Sequence, residues 1–141
     1  MWLNNDGDLR IYQDYYGRYY RTASDDRIKF NEQELNYGLA QVMALEPKRY
    51  DRAEWEVDPE TEEIIIHPEK AKNDIGLVAQ DVQGVIPEAV SIPEDENRQP
   101  WSLSYDTIIP VLVKAIQEQQ AQIKSLKQRI ETLEQKQEAG S

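Results

Sequence analysis

Four isoleucines, Ile109, Ile116, Ile123 and Ile130, recur at intervals of seven residues. A straight helix cannot keep such a repeat on one side without supercoiling around a neighbour. With Ile116 at heptad position a, Leu112, Leu126 and Leu133 fall at d, and Gln119 is the one polar d residue. A buried polar layer costs stability but fixes register and strand number. Arg129 at g faces Glu134 at e of a parallel neighbour, an attractive pair. Pro110 lies near the start of the helix, where its missing N–H matters less than in the interior. The Glu- and Gln-rich end after Leu133 has little else to pack against, so self-association is expected. Isoleucine at a with leucine at d favours parallel dimers in simple peptides, so the heptads alone leave strand number open.

The whole chain is short. Its 141 residues suffice for one small domain plus an extended helix. A formal net charge of -11 argues against nucleic-acid binding, which needs clustered Lys and Arg. Cysteine is absent and His67 is the sole histidine, so no thiolate or histidine metal site and no Ser-His-Asp triad is expected. No metal or other cofactor is called for. No apolar run approaches the roughly 18 residues of a membrane helix, and no secretory signal is visible.

Local patterns divide what precedes the seam. Asp6-Gly7-Asp8 signals a turn, and the cluster Tyr12, Tyr15, Tyr16, Tyr19 and Tyr20, broken by Gly17, favours strands at a sheet edge or subunit interface. A helix is expected from Asn31, with Glu34 completing a capping box and Pro47 ending it. Leu35, Leu39, Val42 and Leu45 then share its core face. Trp55 and Val57 alternate with Glu54 and Glu56, then Asp58-Pro59-Glu60 turns the chain into Ile64-Ile65-Ile66, a β-hairpin. His67 follows as a strand-end or interface histidine. Residues 75–79 lead into a short helix over Gln80 to Ile86, and Ala89 to Ile92 and Leu103 to Tyr105 read as short strands. The acidic stretch from Pro93 to Asn97 lacks the spacing and glycine of a calcium loop and reads as solvated.

One segment carries chemistry. In Ser24-Asp25-Asp26-Arg27-Ile28-Lys29 a hydroxyl and an amine stand five residues apart, just after the small Ala23. A serine hydroxyl is a poor nucleophile unaided, and a neutral lysine amine can serve as its base. Free lysine titrates near ~10.4, so the base must be desolvated or placed near another cation. Arg27 supplies repulsion in the right sense, whereas Asp25 and Asp26 favour the charged amine. Burial at a subunit interface would supply desolvation and couple the chemistry to assembly. On spacing alone, Ser24 as a turn cap and Lys29 as a surface charge remains open.

The run Ser24-Asp25-x-Arg27-x-Lys29 resembles the opening motif of the intramolecular chaperone domains that end phage tail spikes, tail fibres and neck appendages. The same family includes the auto-processing domain of the membrane-bound myelin regulatory transcription factor. The likeness continues in order through Leu39-x-x-Val42-x-x-Leu45-x-Pro47-x-x-Tyr50, then Ile75-Gly76-Leu77-Val78-Ala79-Gln80-Asp81-Val82 with Pro87-Glu88-Ala89-Val90. Tyr105 and the run from Ile109 to Ile116 are similar to the entry of the family's terminal coiled coil.

The resemblance implies a homotrimer that helps fold the fibre sequence N-terminal to it in the same polypeptide. It also implies release by cutting Ala23–Ser24, with Ser24 as nucleophile, Lys29 as base, and Asp25 and Arg27 as supporting motif. The fold class is then α+β, a small mixed helix and short-strand domain followed by a long helix in a parallel trimeric coiled coil. Residues 1–23 would be the β-rich, tyrosine-rich end of the parent fibre, 24–105 the chaperone and auto-processing domain, and 106–137 the coiled coil. The setting implied is a virion tail-fibre precursor made in the host cytoplasm, with no membrane partner. The alternatives are a trimerisation cap that never cleaves, and an adhesin tip whose tyrosines bind a glycan.

Overall fold

The computed structural model describes Trp2–Leu3, Leu9–Arg10 and residues 21–140. The tyrosine cluster from Tyr12 to Tyr20 and the Asp6-Gly7-Asp8 turn lie outside the described residues. The chain divides into two compact units, Met1–Glu34 and Leu35–Ser141. In the first, β1 (Trp2–Leu3) pairs antiparallel with β2 (Leu9–Arg10), and a single 3-10 turn follows at Asp26–Ile28.

The second unit is α+β. Its order is α1 (Leu39–Ala44), β3 (Lys48–Val57), β4 (Ile64–Gly76), α2 (Ala79–Gln83), a 3-10 turn (Pro87–Ala89), β5 (Val90–Ser91), β6 (Ser102–Leu103) and α3 (Tyr105–Ala139). Strands β3 and β4 form a two-stranded antiparallel hairpin, and β5 pairs with β6 in a second small ribbon.

The hairpin is longer than the sequence pattern indicates, because polar pairs such as Tyr50 with Asp74 and Asp51 with Asn73 extend its ladder down to Lys48 and Gly76. Ile75 and Gly76 therefore end a strand instead of leading a helix. Toward the tip, Trp55 faces Ile66 and Val57 faces Ile64. Side chains alternate along a strand, so these four share one face. The ladder shifts between Arg52 and Glu54, which face Lys72 and His67 respectively. Pro68 lies within that irregular stretch of β4 and has no N–H to give to a ladder. At the tip Asp58 accepts from the backbone N–H of Glu60 and Thr61, and Glu62 takes a left-handed φ of 60°.

The helix expected from Asn31 starts at Leu39 instead. Asn31 has φ 56°, and a residue in the left-handed region cannot take the extended backbone of an N-cap. Gly38 is the N-cap; its N–H donates to Gln41 Oε1 at 2.9 Å, and Leu39 N–H donates to Glu118 Oε2 at 2.8 Å. Those carboxylate oxygens occupy the place of a side chain at Gly38, where a Cβ would stand 2.5 Å from Glu118 Oε1. Leu35, placed outside the helix, still packs on the core from an irregular segment.

That core lies where α1, α2 and the start of α3 meet. Val82, Ile86, Ala89, Ile108 and Val111 are buried together, flanked by Leu35, Tyr37, Val42, Leu45, Leu77, Val85, Val90 and Leu103. Fully burying a side chain the size of Ile86 contributes about 1.5–3 kcal/mol. Helix α3 thus shows two faces. Ile108, Val111 and Ala115 are buried in its own unit, whereas the adjacent stripe is open, with Ile116 64% and Leu133 60% exposed. Every residue from 119 to 139 is exposed. No described helix is long and apolar enough to cross a membrane.

Candidate functional site

The segment from Ser24 to Lys29 folds on itself through one acidic side chain. Asp25 has extended backbone and caps the 3-10 turn: its Oδ1 accepts from Arg27 N–H at 2.9 Å. The same carboxylate takes the guanidinium in a fork, Arg27 Nε to Oδ1 at 2.9 Å and Nη2 to Oδ2 at 2.9 Å. Backbone bonds from Ile28 N–H to Asp25 O and from Lys29 N–H to Asp26 O, both 3.1 Å, close the turn. The chain reverses, and Lys29 Nζ donates to Ser24 Oγ at 2.6 Å.

The electrostatics differ from those the sequence offered. Arg27 is ion-paired with Asp25 and is not a free cation beside Lys29. Its side-chain hydrogen bond, helped by its backbone N–H, holds the Asp25 carboxyl below the ordinary value, and the same bond raises Arg27. Both oxygens of Asp25 are therefore engaged elsewhere than on the lysine. The site is open in the single chain: Phe30, next to Lys29, is 82% exposed and Ile28 is exposed as well.

Ser24, Asp25, Arg27 and Lys29 thus meet in one turn, with Ala23 immediately before it. The seam residues Ile109, Leu112, Ile116, Gln119, Ile123, Leu126, Ile130 and Leu133 all lie on α3 and are exposed. Their exposure leaves an apolar stripe, broken by Gln119, open to solvent in the single chain. In proteins most helix stability comes from packing an apolar face, so that stripe favours a neighbour.

His67 sits inside β4, not at a strand end. Nε2 lies 3.1 Å from Glu56 Oε1 and Nδ1 lies 3.1 Å from Glu69 Oε1. Among the described residues no group of three or more His, Asp or Glu side chains could hold a metal ion. Glu118 was not legible as a structural contact in the sequence, since it meets Leu39 across 79 positions. The Asp25–Arg27 pair carried a faint signal, an acid two residues before a base at a turn that opens with a hydroxyl residue.

Residues 24–91 match the protein family described as chaperone of endosialidase. Long tail fiber protein Gp37 of Enterobacteria phage M1 is 34% identical over 105 residues, which take in 74% of this chain and 38% of that protein. The protein of the same name from Enterobacteria phage K3 is 30% identical over 125 residues, 88% of this chain and 9% of that protein. The Enterobacteria phage T2 protein matches over the same shares. This chain therefore spans well under half the length of these relatives.

Proposed function

We propose that the chain, whose residues 24–91 match the chaperone of endosialidase family, a family of self-cleaving peptidases, is the intramolecular chaperone of a phage long tail fibre. In this reading it trimerises, promotes folding of the preceding fibre, and frees itself by cutting Ala23–Ser24. Residues 1–23 stay with the fibre, while 24–105 and the coiled coil over 106–137 are shed.

The observation that carries the proteolytic part is the 2.6 Å contact between Lys29 Nζ and Ser24 Oγ. With the amine neutral the contact reverses, and the hydroxyl donates its proton to Nζ. Ser24 Oγ then bonds to the carbonyl carbon of Ala23, and the C–N bond breaks. The proton held by Lys29 passes to the departing amino nitrogen of Ser24. Water resolves the ester, leaving the Ala23 carboxylate and restoring the Ser24 hydroxyl. Nucleophile and scissile bond share one backbone, so folding alone supplies orientation.

Trimerisation is supported by the exposed seam of α3, and desolvation of Lys29 is expected from burial of the open turn on assembly. The deciding experiment follows full-length chains, fused to their native fibre, on denaturing gels and by intact mass. The wild type should yield a fragment beginning at Ser24, and Ser24→Ala should stay whole yet trimeric. A wild-type chain that stays whole as a folded trimer would instead favour the cap that never cleaves.

A further inference from the structure

We infer that Arg27 is a positioning residue that acts by occupying Asp25, so that Lys29 stays on Ser24. This deepens the autoproteolytic reading and rests on it. Asp25 is needed as a cap, since it accepts the Arg27 N–H that starts the turn. That need creates a hazard. A carboxylate one residue from Ser24 is a competitor for the Lys29 ammonium, and a lysine paired with it is neither on the hydroxyl nor disposed to lose its proton.

Arg27 removes the competitor. Its planar fork takes both Asp25 oxygens, Nε and Nη2 each at 2.9 Å, while the backbone N–H of the same residue shares Oδ1. Exposed ion pairs are generally weak, but a bidentate guanidinium–carboxylate pair has the geometry that makes one matter. Lysine at position 27 could not reproduce it, being a point charge without the fork. The acid therefore keeps its capping role and loses its pull on the base.

The signature is a rescue that a purely structural role cannot produce. Arg27→Gln removes both hydrogen bonds of the fork, frees Asp25 and should slow scission about tenfold or more. Asp25→Asn keeps a good capping side chain but no charge, and should cleave within about threefold of wild type. The double variant Asp25→Asn/Arg27→Gln should cleave faster than Arg27→Gln alone, because no carboxylate remains to capture Lys29. Rates are read on denaturing gels of the fibre-fused chain, and trimer content by light scattering confirms assembly.

A second arm needs no cleavage. In the uncleavable Ser24→Ala chain, the Arg27 Nε–H resonance should be distinct and protected from exchange, and Asp25→Asn should abolish that protection. Wild-type rates in Arg27→Gln, no rescue in the double variant, or an unprotected Nε–H would each overturn the inference. If Ser24→Ala cleaves like wild type, the dyad itself fails. If the wild type never cleaves, autoproteolysis fails and the assigned role of Arg27 fails with it, whatever the state of the fork.

Discussion

At the scale of single residues, the turn from Ser24 to Lys29 makes separable statements. Ser24→Ala removes the proposed nucleophile and Lys29→Ala the proposed base; each should leave full-length chains on a denaturing-gel time course, and light scattering should still report the proposed trimer. Asp26→Ala deletes a nearby anion that Arg27 does not engage in the fork, so scission should be unchanged or faster; a slower variant would mean that Asp26 itself supports the turn. The acid side of the pH response has a definite sign. Asp25 has a folded value below its ordinary one, so its contribution is present above the unfolded carboxylate value near ~3.9 and is lost as pH falls through the folded value. Acidifying the Ser24→Ala chain through the lowered folded value of Asp25 should therefore erase the Arg27 Nε–H protection; protection that persists once the carboxylate is protonated would mean that something else holds the guanidinium.

Elements tell how far sequence reasoning reaches. The hairpin and the long helix were readable because their signals are periodic and local: Trp55 and Val57 alternate, and the isoleucines of α3 repeat. The start of α1 was not readable. Asn31 and Glu34 fit a capping box on paper, but the true N-cap is Gly38, and the carboxylate that accepts from the next N–H, that of Leu39, comes from Glu118. No local rule contains a contact of that sequence separation. The Ser24 and Lys29 pairing was visible as spacing, while the neutralisation of Asp25 by Arg27 required geometry. A double-mutant cycle tests the α1 contact. Gly38→Ala should cost about 1 kcal/mol by displacing the Glu118 carboxylate from Leu39 N–H, and Glu118→Ala about the same, as for other lost caps. Together they should cost clearly less than the sum, measured by denaturant unfolding. Strict additivity would show that the two positions do not share one interaction.

For the whole molecule, the question is what completes α3. Replacing both Ile123 and Ile130 with Asn places unpartnered amides in the proposed seam, at about 1–3 kcal/mol for each unsatisfied group. Light scattering should then report monomers or aggregate, and a stable trimer would make the seam dispensable. The folding role has its own test. A β-rich fibre depends on long-range strand pairing that forms slowly and invites aggregation. Omitting residues 24–141 during synthesis should leave the fibre insoluble, while removing them after folding should leave it intact. Native fibre made without them would end the chaperone reading. Core integrity is a separate matter: Ile86, 1% exposed, should cost about 2–5 kcal/mol when cut to Ala.

The exposed end of α3 also has a mechanical meaning. Beyond Glu118, which accepts from Leu39 N–H, the exposed residues 119–139 extend about 30 Å as a cantilever. Bundled with neighbours, as proposed, it would be a stiff lever whose inner end is anchored at Ile108, Val111 and Ala115, inside the folded unit. Torque applied by winding the bundle would then arrive directly in the core of each subunit, and through Glu118 at the first turn of α1.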